Sequence, residues 1–203
     1  AIVRQEKPTK EIRYVLDKAF ATDVLASRHY AVDVTNIDTG DFAYQRTGRE
    51  IVLNGFRYDL FFDNARLDQR YIRMMVVQGK NSYDPPDYTD FSDLLQTEAY
   101  VNVGPVGLWG DVASPINRDI YNIYLDKTIK MEYNGEVGSS KHVQGYVKLN
   151  KRLKYDNAGN GANVPDTSSI RIVFIVAEIN NTLGTSATVT KLGGLVRCFF
   201  KDT

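Results

Sequence analysis

The chain has 203 residues, enough to bury a sizeable core, and all-β domains often reach this length without splitting, so residues 1–203 are interpreted as one domain. Its 25 basic and 25 acidic residues cancel, which argues against a body that holds nucleic acid through bulk charge. A single cysteine excludes an intrachain disulfide, and no apolar stretch approaches the roughly 18 residues of a membrane span, so no membrane partner is predicted.

The N-terminal part of the chain predicts two strands. In residues 12–16, Ile12, Tyr14 and Leu16 alternate with Arg13 and Val15, which is enough for a first short strand. The following residues 18–24 are compatible with a turn of helix. Residues 29–36 alternate again, with the valines inward and Asp33 and Thr35 outward, and the polar residues that follow end this second strand.

The most informative stretch is 49–78, which predicts two long strands joined by a short polar connection. In the first strand the apolar positions change phase by one residue at Asn54-Gly55. A phase change at a glycine is typical of a β-bulge, so we interpret this run as one long bent strand. The second run, 71–77, is almost entirely apolar. It favours a central strand covered on both faces, although a buried helix segment has the same pattern.

A long connection follows at 79–117. Within it, residues 87–95 carry apolar side chains at helical spacing and predict one short helix. A connection this long inside a compact domain is usually functional. Its aspartates are interpreted as a solvated loop rather than as a glycosidase pair or a calcium site, because no calcium-loop spacing is present.

The C-terminal half predicts further strands. Residues 121–133 indicate two short strands broken at 126–127, and 170–177 form an apolar run that suits another central strand. Residues 195–201 alternate and close the domain, with Cys198 facing the core as a small apolar side chain. Eight or nine strands with few helical segments predict an all-β sandwich.

The strand predicted at 143–155 has two chemically different faces. Val147, Leu149 and Leu153 occupy the buried face. The two-residue period of a strand aligns three basic residues on the opposite face. They form a basic stripe: Lys148, Arg152 and Lys154.

Four segments of the sequence resemble one known family. They are TGREIVLNG at 47–55, RYIRMMVVQ at 70–78, YNIYLDKTI at 121–129 and YVKLNKRLKY at 146–155. In content and order they are similar to strands of the capsid proteins of small circular single-stranded DNA viruses, the circovirus- and geminivirus-like CRESS-DNA viruses. Geminivirus-type members usually continue the second segment differently from the Gln78-Gly79 found here, which leaves the subfamily open.

The resemblance implies a jelly-roll β-sandwich of two packed antiparallel four-stranded sheets with long connecting loops. It also implies a structural protein that self-assembles into a small icosahedral T=1 shell, a homo-oligomer of about 60 copies, around a circular single-stranded DNA genome. The expected location is the virion, with assembly in the host nucleus. Because the neutral body leaves phosphate charge unbalanced, we expect an arginine- and lysine-rich arm upstream of Ala1.

Two sets of basic residues are candidates for nucleic-acid contact. The first set adjoins the expected arm: Arg4, Lys7, Lys10 and Arg13. The basic stripe ranks second, because such a strand face is as often an intersubunit salt-bridge surface or simply solvated. Contacts between subunits are expected from aromatic residues of the long connection: Trp109, Tyr83, Tyr88 and Tyr100. For Trp109 an ordinary packed loop tip is the alternative.

No catalytic, metal or cofactor site is predicted. The two histidines, His29 and His142, have no partner at metal-ligand spacing, and no nucleophile, zinc or phosphate-loop motif is present. We therefore expect a protein that is not an enzyme. The alternative function is a jelly-roll carbohydrate-binding module of the lectin type, which would elute from a sizing column as a monomer or small oligomer rather than as a particle.

Overall fold

A computed structural model describes residues 14–25, 29–42, 44–64, 69–80, 94–95, 112–132, 139–155, 163, 165–166, 168–178 and 189–202. Within these residues the chain forms eight β-strands. They are β1 (Tyr14–Leu25), β2 (His29–Asp33), β3 (Glu50–Asn64), β4 (Arg70–Gly79), β5 (Tyr121–Met131), β6 (Ser140–Lys154), β7 (Ile170–Glu178) and β8 (Val189–Asp202). This part of the chain includes no helix long and apolar enough to cross a membrane.

The first strand pairs with the last, the second with the second-last, and so on toward the middle of the chain. β1 pairs with β8, β2 with β7, β3 with β6 and β4 with β5, always antiparallel. Additional ladders between β3 and β8 and between β4 and β7 complete two four-stranded sheets. Sheet A has the order β1-β8-β3-β6 and sheet B the order β2-β7-β4-β5. This strand order is the jelly roll, so the predicted fold class is confirmed.

The main core lies between the two sheets. Leu53, Phe56 and Phe62 of β3 are buried there, and Phe62 meets Phe174 of β7 edge-on with ring centroids 6.1 Å apart. Cys198 of β8 is fully buried in the same core, as predicted. Burial raises the pKa of its thiol to about 12, so Cys198 acts as a small apolar side chain.

A bulge keeps both halves of β3 on the core. The register with β6 and with β8 shifts between Leu53 and Gly55, so Asn54 has no partner in either ladder. Gly55 has a φ of 157°, and a Cβ atom there would lie 2.2 Å from the carbonyl oxygen of Val147. Glycine alone fits this position. The phase change read from the sequence is therefore confirmed as a bulge.

Sheet B is covered on both faces along its two central strands, β7 and β4. The side chains of β4 that point away from the main core, among them Met75 and Val77, enter a second apolar cluster. Leu95 and Ile116, from the connection between β4 and β5, form an antiparallel bridge and pack into this cluster. The sequence of β4 does not alternate between apolar and polar residues because both faces of the strand are buried. This confirms the predicted central strand.

The structure contradicts the helical turn predicted for residues 18–24. These residues belong to β1, which pairs with β8 along all 12 of its residues. Lys18 and Phe20 point toward the core, and the ammonium of Lys18 donates to the carbonyl oxygen of Asp33 at 2.7 Å. Helix propensity is a weak preference, and a ladder of this length overrides it.

The end of β2 also differs from the prediction. The strand stops at Asp33, and Thr35 is fully buried rather than outward. The hydroxyl of Thr35 accepts a hydrogen bond from the backbone N–H of Ile170 at 3.1 Å and donates to the Asp33 carboxylate at 2.8 Å. A threonine with both partners supplied can be buried without leaving a polar group unsatisfied.

β5 is continuous where the sequence predicts a break at 126–127. Asp126 does not end the strand because its carboxylate forms an ion pair with Arg73 of the neighbouring β4. The irregularity lies instead at Tyr124, which the ladder between β4 and β5 skips. The helix predicted at 87–95 lies outside the described residues except for its last two positions.

Candidate nucleic-acid interface

The outward face of sheet A exposes large side chains to solvent. We call it the open face and define it by the residues of β1, β8, β3 and β6 that alternate with core residues. Phe61 of β3 is 58% exposed and Tyr146 of β6 is 54% exposed. Sheet B differs, because the outward apolar side chains of β4 are buried in the second cluster. Exposed aromatic side chains grouped on one face indicate a binding surface.

The open face carries a surplus of positive charge. Seven of its described side chains are basic and four are acidic, which gives a net charge of +3 with His142 neutral. The basic residues are Arg57, Lys148, Arg152, Lys154, Lys191, Arg197 and Lys201, and the acidic residues are Asp17, Glu50, Asp59 and Asp63. Since the whole chain is neutral, this surplus is local. It favours contact with a polyanion.

Two arginines of the open face are held by carboxylates. Arg197 donates to Asp17 from Nε at 2.6 Å and from Nη2 at 2.7 Å. Arg152 pairs with Glu50, and its Nη2 donates at 2.7 Å. The guanidinium hydrogen bonds lower the pKa of both carboxyls. Both pairs face solvent, so they orient the side chains more than they stabilise the fold.

The basic stripe lies on the face that the sequence predicts. Lys148, Arg152 and Lys154 are exposed on β6, and Val147 and Leu153 between them are buried. Glu50 forms an ion pair with Arg152, so the positive charge that the stripe offers comes mainly from its two lysines. Lys154 lies opposite Glu50 in the ladder, and its charge also lowers the pKa of the Glu50 carboxyl. β6 is also an outer strand of sheet A, so the stripe is accessible from the side.

Phe61 stacks on a histidine of the neighbouring strand. The rings of Phe61 and His142 are 4.4 Å apart between centroids and only 7° from parallel. Asp59, on the same face of β3, hydrogen-bonds Nε2 of His142 and so holds the imidazole in position. Sequence reasoning missed Phe61, although a signal exists. After the bulge the core takes the even positions of β3, so an aromatic residue at position 61 must face outward.

A depression lies on the other side of Phe61. The ladders place four residues in one row across sheet A: Ala21, Gly193, Phe61 and His142. His142 covers one side of the Phe61 ring, whereas the glycine and alanine leave the sheet surface low on the opposite side. The depression has a volume of about 390 Å³, and Lys191 and Asp63 line it from the next row.

The remaining candidates from the sequence lie outside the described residues. This applies to the first basic set, Arg4, Lys7, Lys10 and Arg13, and to the expected subunit contacts, Trp109, Tyr83, Tyr88 and Tyr100. Their roles stay predictions. Among the residues that the structure does describe, no group of three or more His, Cys, Asp or Glu side chains could hold a metal ion.

No family model matches the chain, and no curated protein matches it. Among solved structures, a chain from Desmodium yellow mottle tymovirus aligns over 100% of this chain and 97% of its own length, with 10% sequence identity and a TM-score of 0.33. We therefore infer the function from the strand order and side chains of the chain itself.

Proposed function

We propose that the chain is a viral capsid subunit that assembles with copies of itself into a small icosahedral T=1 shell around single-stranded DNA. The observation that carries this proposal is the jelly-roll order of the two sheets. Viral coat domains share that order with lectins and cupins. The four segments that resemble CRESS-DNA virus capsid proteins fall on four successive strands, β3 to β6, which supports the viral alternative.

The open face supports a role in packaging nucleic acid. A carbohydrate-binding module has no need of a sheet face whose described side chains carry a net charge of +3, whereas such a face suits the phosphates of a packaged strand. In the proposed shell this face lines the interior, and Lys148, Lys154 and Lys191 contact phosphate. Contacts of this kind position the nucleic acid and do not depend on its sequence.

We also propose that the chain has a structural rather than a catalytic role. The thiol of Cys198 is buried and its pKa is raised, so a thiolate nucleophile is not supplied at neutral pH. His142 is hydrogen-bonded to Asp59 and stacked on Phe61 at the surface, without a nucleophile beside it among its described partners. We expect this subunit to be located in the virion.

A sizing column and negative-stain electron microscopy of the full chain test this function. At physiological pH and salt we expect closed particles of megadalton size that protect single-stranded DNA from nuclease. A lectin-like module would instead elute as a monomer or small oligomer and would be retained on a sugar matrix. Either of those two results would overturn the proposed function.

A further inference from the structure

We propose that the depression beside Phe61 is a slot for one unpaired nucleobase, in which the base stacks on the free side of the Phe61 ring. The inference rests on the packaging function proposed above and adds a specific element to it. Phosphate contact alone would treat paired and unpaired strands alike, whereas a slot of this kind selects bases whose flat faces are accessible.

The ladder register sets the geometry of the slot. Phe61 faces His142 on β6 and Gly193 on β8, and Gly193 faces Ala21 on β1. Neighbouring strands lie about 4.8 Å apart, and the Phe61 and His142 rings are correspondingly 4.4 Å apart. A flat ring standing above Gly193 would therefore stack on Phe61 from one side as His142 does from the other. Because Gly193 has no side chain and Ala21 has only a methyl group, that space is open.

The polar groups around the slot suit a nucleotide. Lys191 and Asp63 face each other in the next row of the sheet, and both are exposed. The ammonium of Lys191 can meet a backbone phosphate, and the carboxylate of Asp63 can accept a hydrogen bond from a base N–H group. The apolar wall of Phe61 between these groups supplies the stacking surface on which sequence-independent binding of single strands depends.

Charge argues against a second copy of the chain as the occupant. If the open faces of two copies met symmetrically, the surplus of +3 on the described side chains of one face would oppose the same surplus on the other. A single-stranded nucleic acid offers the opposite charge together with planar rings. It therefore complements both features of the face, the surplus of basic residues and the exposed aromatic ring.

Two oligonucleotides of equal charge separate stacking from phosphate contact. The probes are a fluorescein-labelled dT 12-mer and an abasic 12-mer, which has the same phosphates and no bases. Binding is measured by anisotropy on the full chain, in the fraction that elutes below particle size. We expect the dT 12-mer to bind at least about fivefold more tightly than the abasic one.

Two variants change the slot in different ways, and a third variant serves as a matched control. Phe61→Ala removes the stacking surface, and Ala21→Leu fills the depression while leaving Phe61 in place. Both are expected to bring the ratio between the two probes close to one without weakening the abasic probe. Phe42→Ala removes another exposed aromatic residue, which stacks on Tyr44 with ring centroids 5.5 Å apart in the connection between β2 and β3, and is expected to leave the ratio unchanged.

The outcomes distinguish this proposal from the packaging function. Equal binding of the two probes by the unaltered chain, or an unchanged ratio in Phe61→Ala and Ala21→Leu, would overturn the slot while particle formation could still be intact. Loss of particles in Phe61→Ala with an unchanged ratio would assign Phe61 to contact with a second copy. A preserved ratio in a chain that never forms particles would instead overturn the shell and leave the slot standing.

Discussion

Arg73 and Asp126 are joined by two parallel hydrogen bonds across β4 and β5, from Nε to Oδ1 at 2.8 Å and from Nη2 to Oδ2 at 2.7 Å. The Arg73 side chain is only 5% exposed, whereas that of Asp126 is 38% exposed. The third donor, Nη1, reaches the carbonyl oxygen of Ser114 in the connection between the two strands. One guanidinium therefore ties two strands and their connection together.

Removing the carboxylate should leave the buried Arg73 guanidinium without the two hydrogen bonds that it donates to Asp126. We expect Asp126→Ala to lower the free energy of unfolding by about 1–3 kcal/mol, as measured by urea denaturation. Glu132→Gln is the matched control, because Glu132 pairs with Lys130 at the surface, and it should change the value by less than about 0.5 kcal/mol. Equal effects of the two changes would show that burial of Arg73 does not matter.

The bulge in β3 should depend on glycine. We expect Gly55→Ala to destabilise the chain by about 2–4 kcal/mol, because the new Cβ would lie 2.2 Å from the Val147 carbonyl oxygen at a φ that side chains disfavour. At Gly48 the nearest atom to such a Cβ is 3.7 Å away, so Gly48→Ala should be nearly neutral. Thermal unfolding of the two variants side by side gives the comparison. A neutral Gly55→Ala would contradict the register shift.

Cys198 should make stability fall at alkaline pH. Its pKa is about 12 in the folded chain and 9.0 in the unfolded one, so the unfolded state loses its proton first. The stabilisation is complete below pH 9 and is lost as pH rises toward 12, with a slope of at most about 1.4 kcal/mol per pH unit. Urea denaturation between pH 8 and pH 11 should show a shallower decline in Cys198→Ala. Identical slopes in the two proteins would refute the assignment.

The two lysines of the basic stripe should contribute to binding through phosphate. We expect the double change Lys148→Gln and Lys154→Gln to reduce the salt slope of single-stranded DNA binding by about 0.7 for each lost contact. Lys127 and Lys130 are exposed on β5 of the other sheet, and changing both to Gln is the control. If the control pair lowers the slope as much as the stripe pair, the DNA does not prefer the open face. Failed assembly of the stripe variant alone would assign these lysines to an interface between subunits.

Sequence could reveal the features of this fold that are local. The bulge at Gly55 was predictable because the apolar positions change phase beside a glycine, and β4 was predictable because both of its faces are apolar. Thr35 was not, since its burial depends on a hydrogen bond from Ile170, far along the chain. β1 was misread for a related reason, because only its pairing with β8 makes residues 18–24 extended.

The candidate site likewise has one part that the local sequence predicts and one part that depends on residues far apart in the chain. Exposure of Lys148 and Lys154 follows from the period of one strand, and the structure confirms it. The slot beside Phe61 requires the knowledge that Gly193 and Ala21 lie next to it, and those residues come from strands at opposite ends of the chain. No pattern within β3 contains that information. Cross-strand register had to be known first.

The bulge also has a consequence for how related chains can differ in length. A residue inserted or lost elsewhere in β3 would exchange the core side of the strand for its solvent side from that point onward. At Asn54 the change would be absorbed, because this residue already lies outside both ladders and Gly55 accommodates the irregular backbone. Natural insertions and deletions within β3 should therefore be concentrated at this one position.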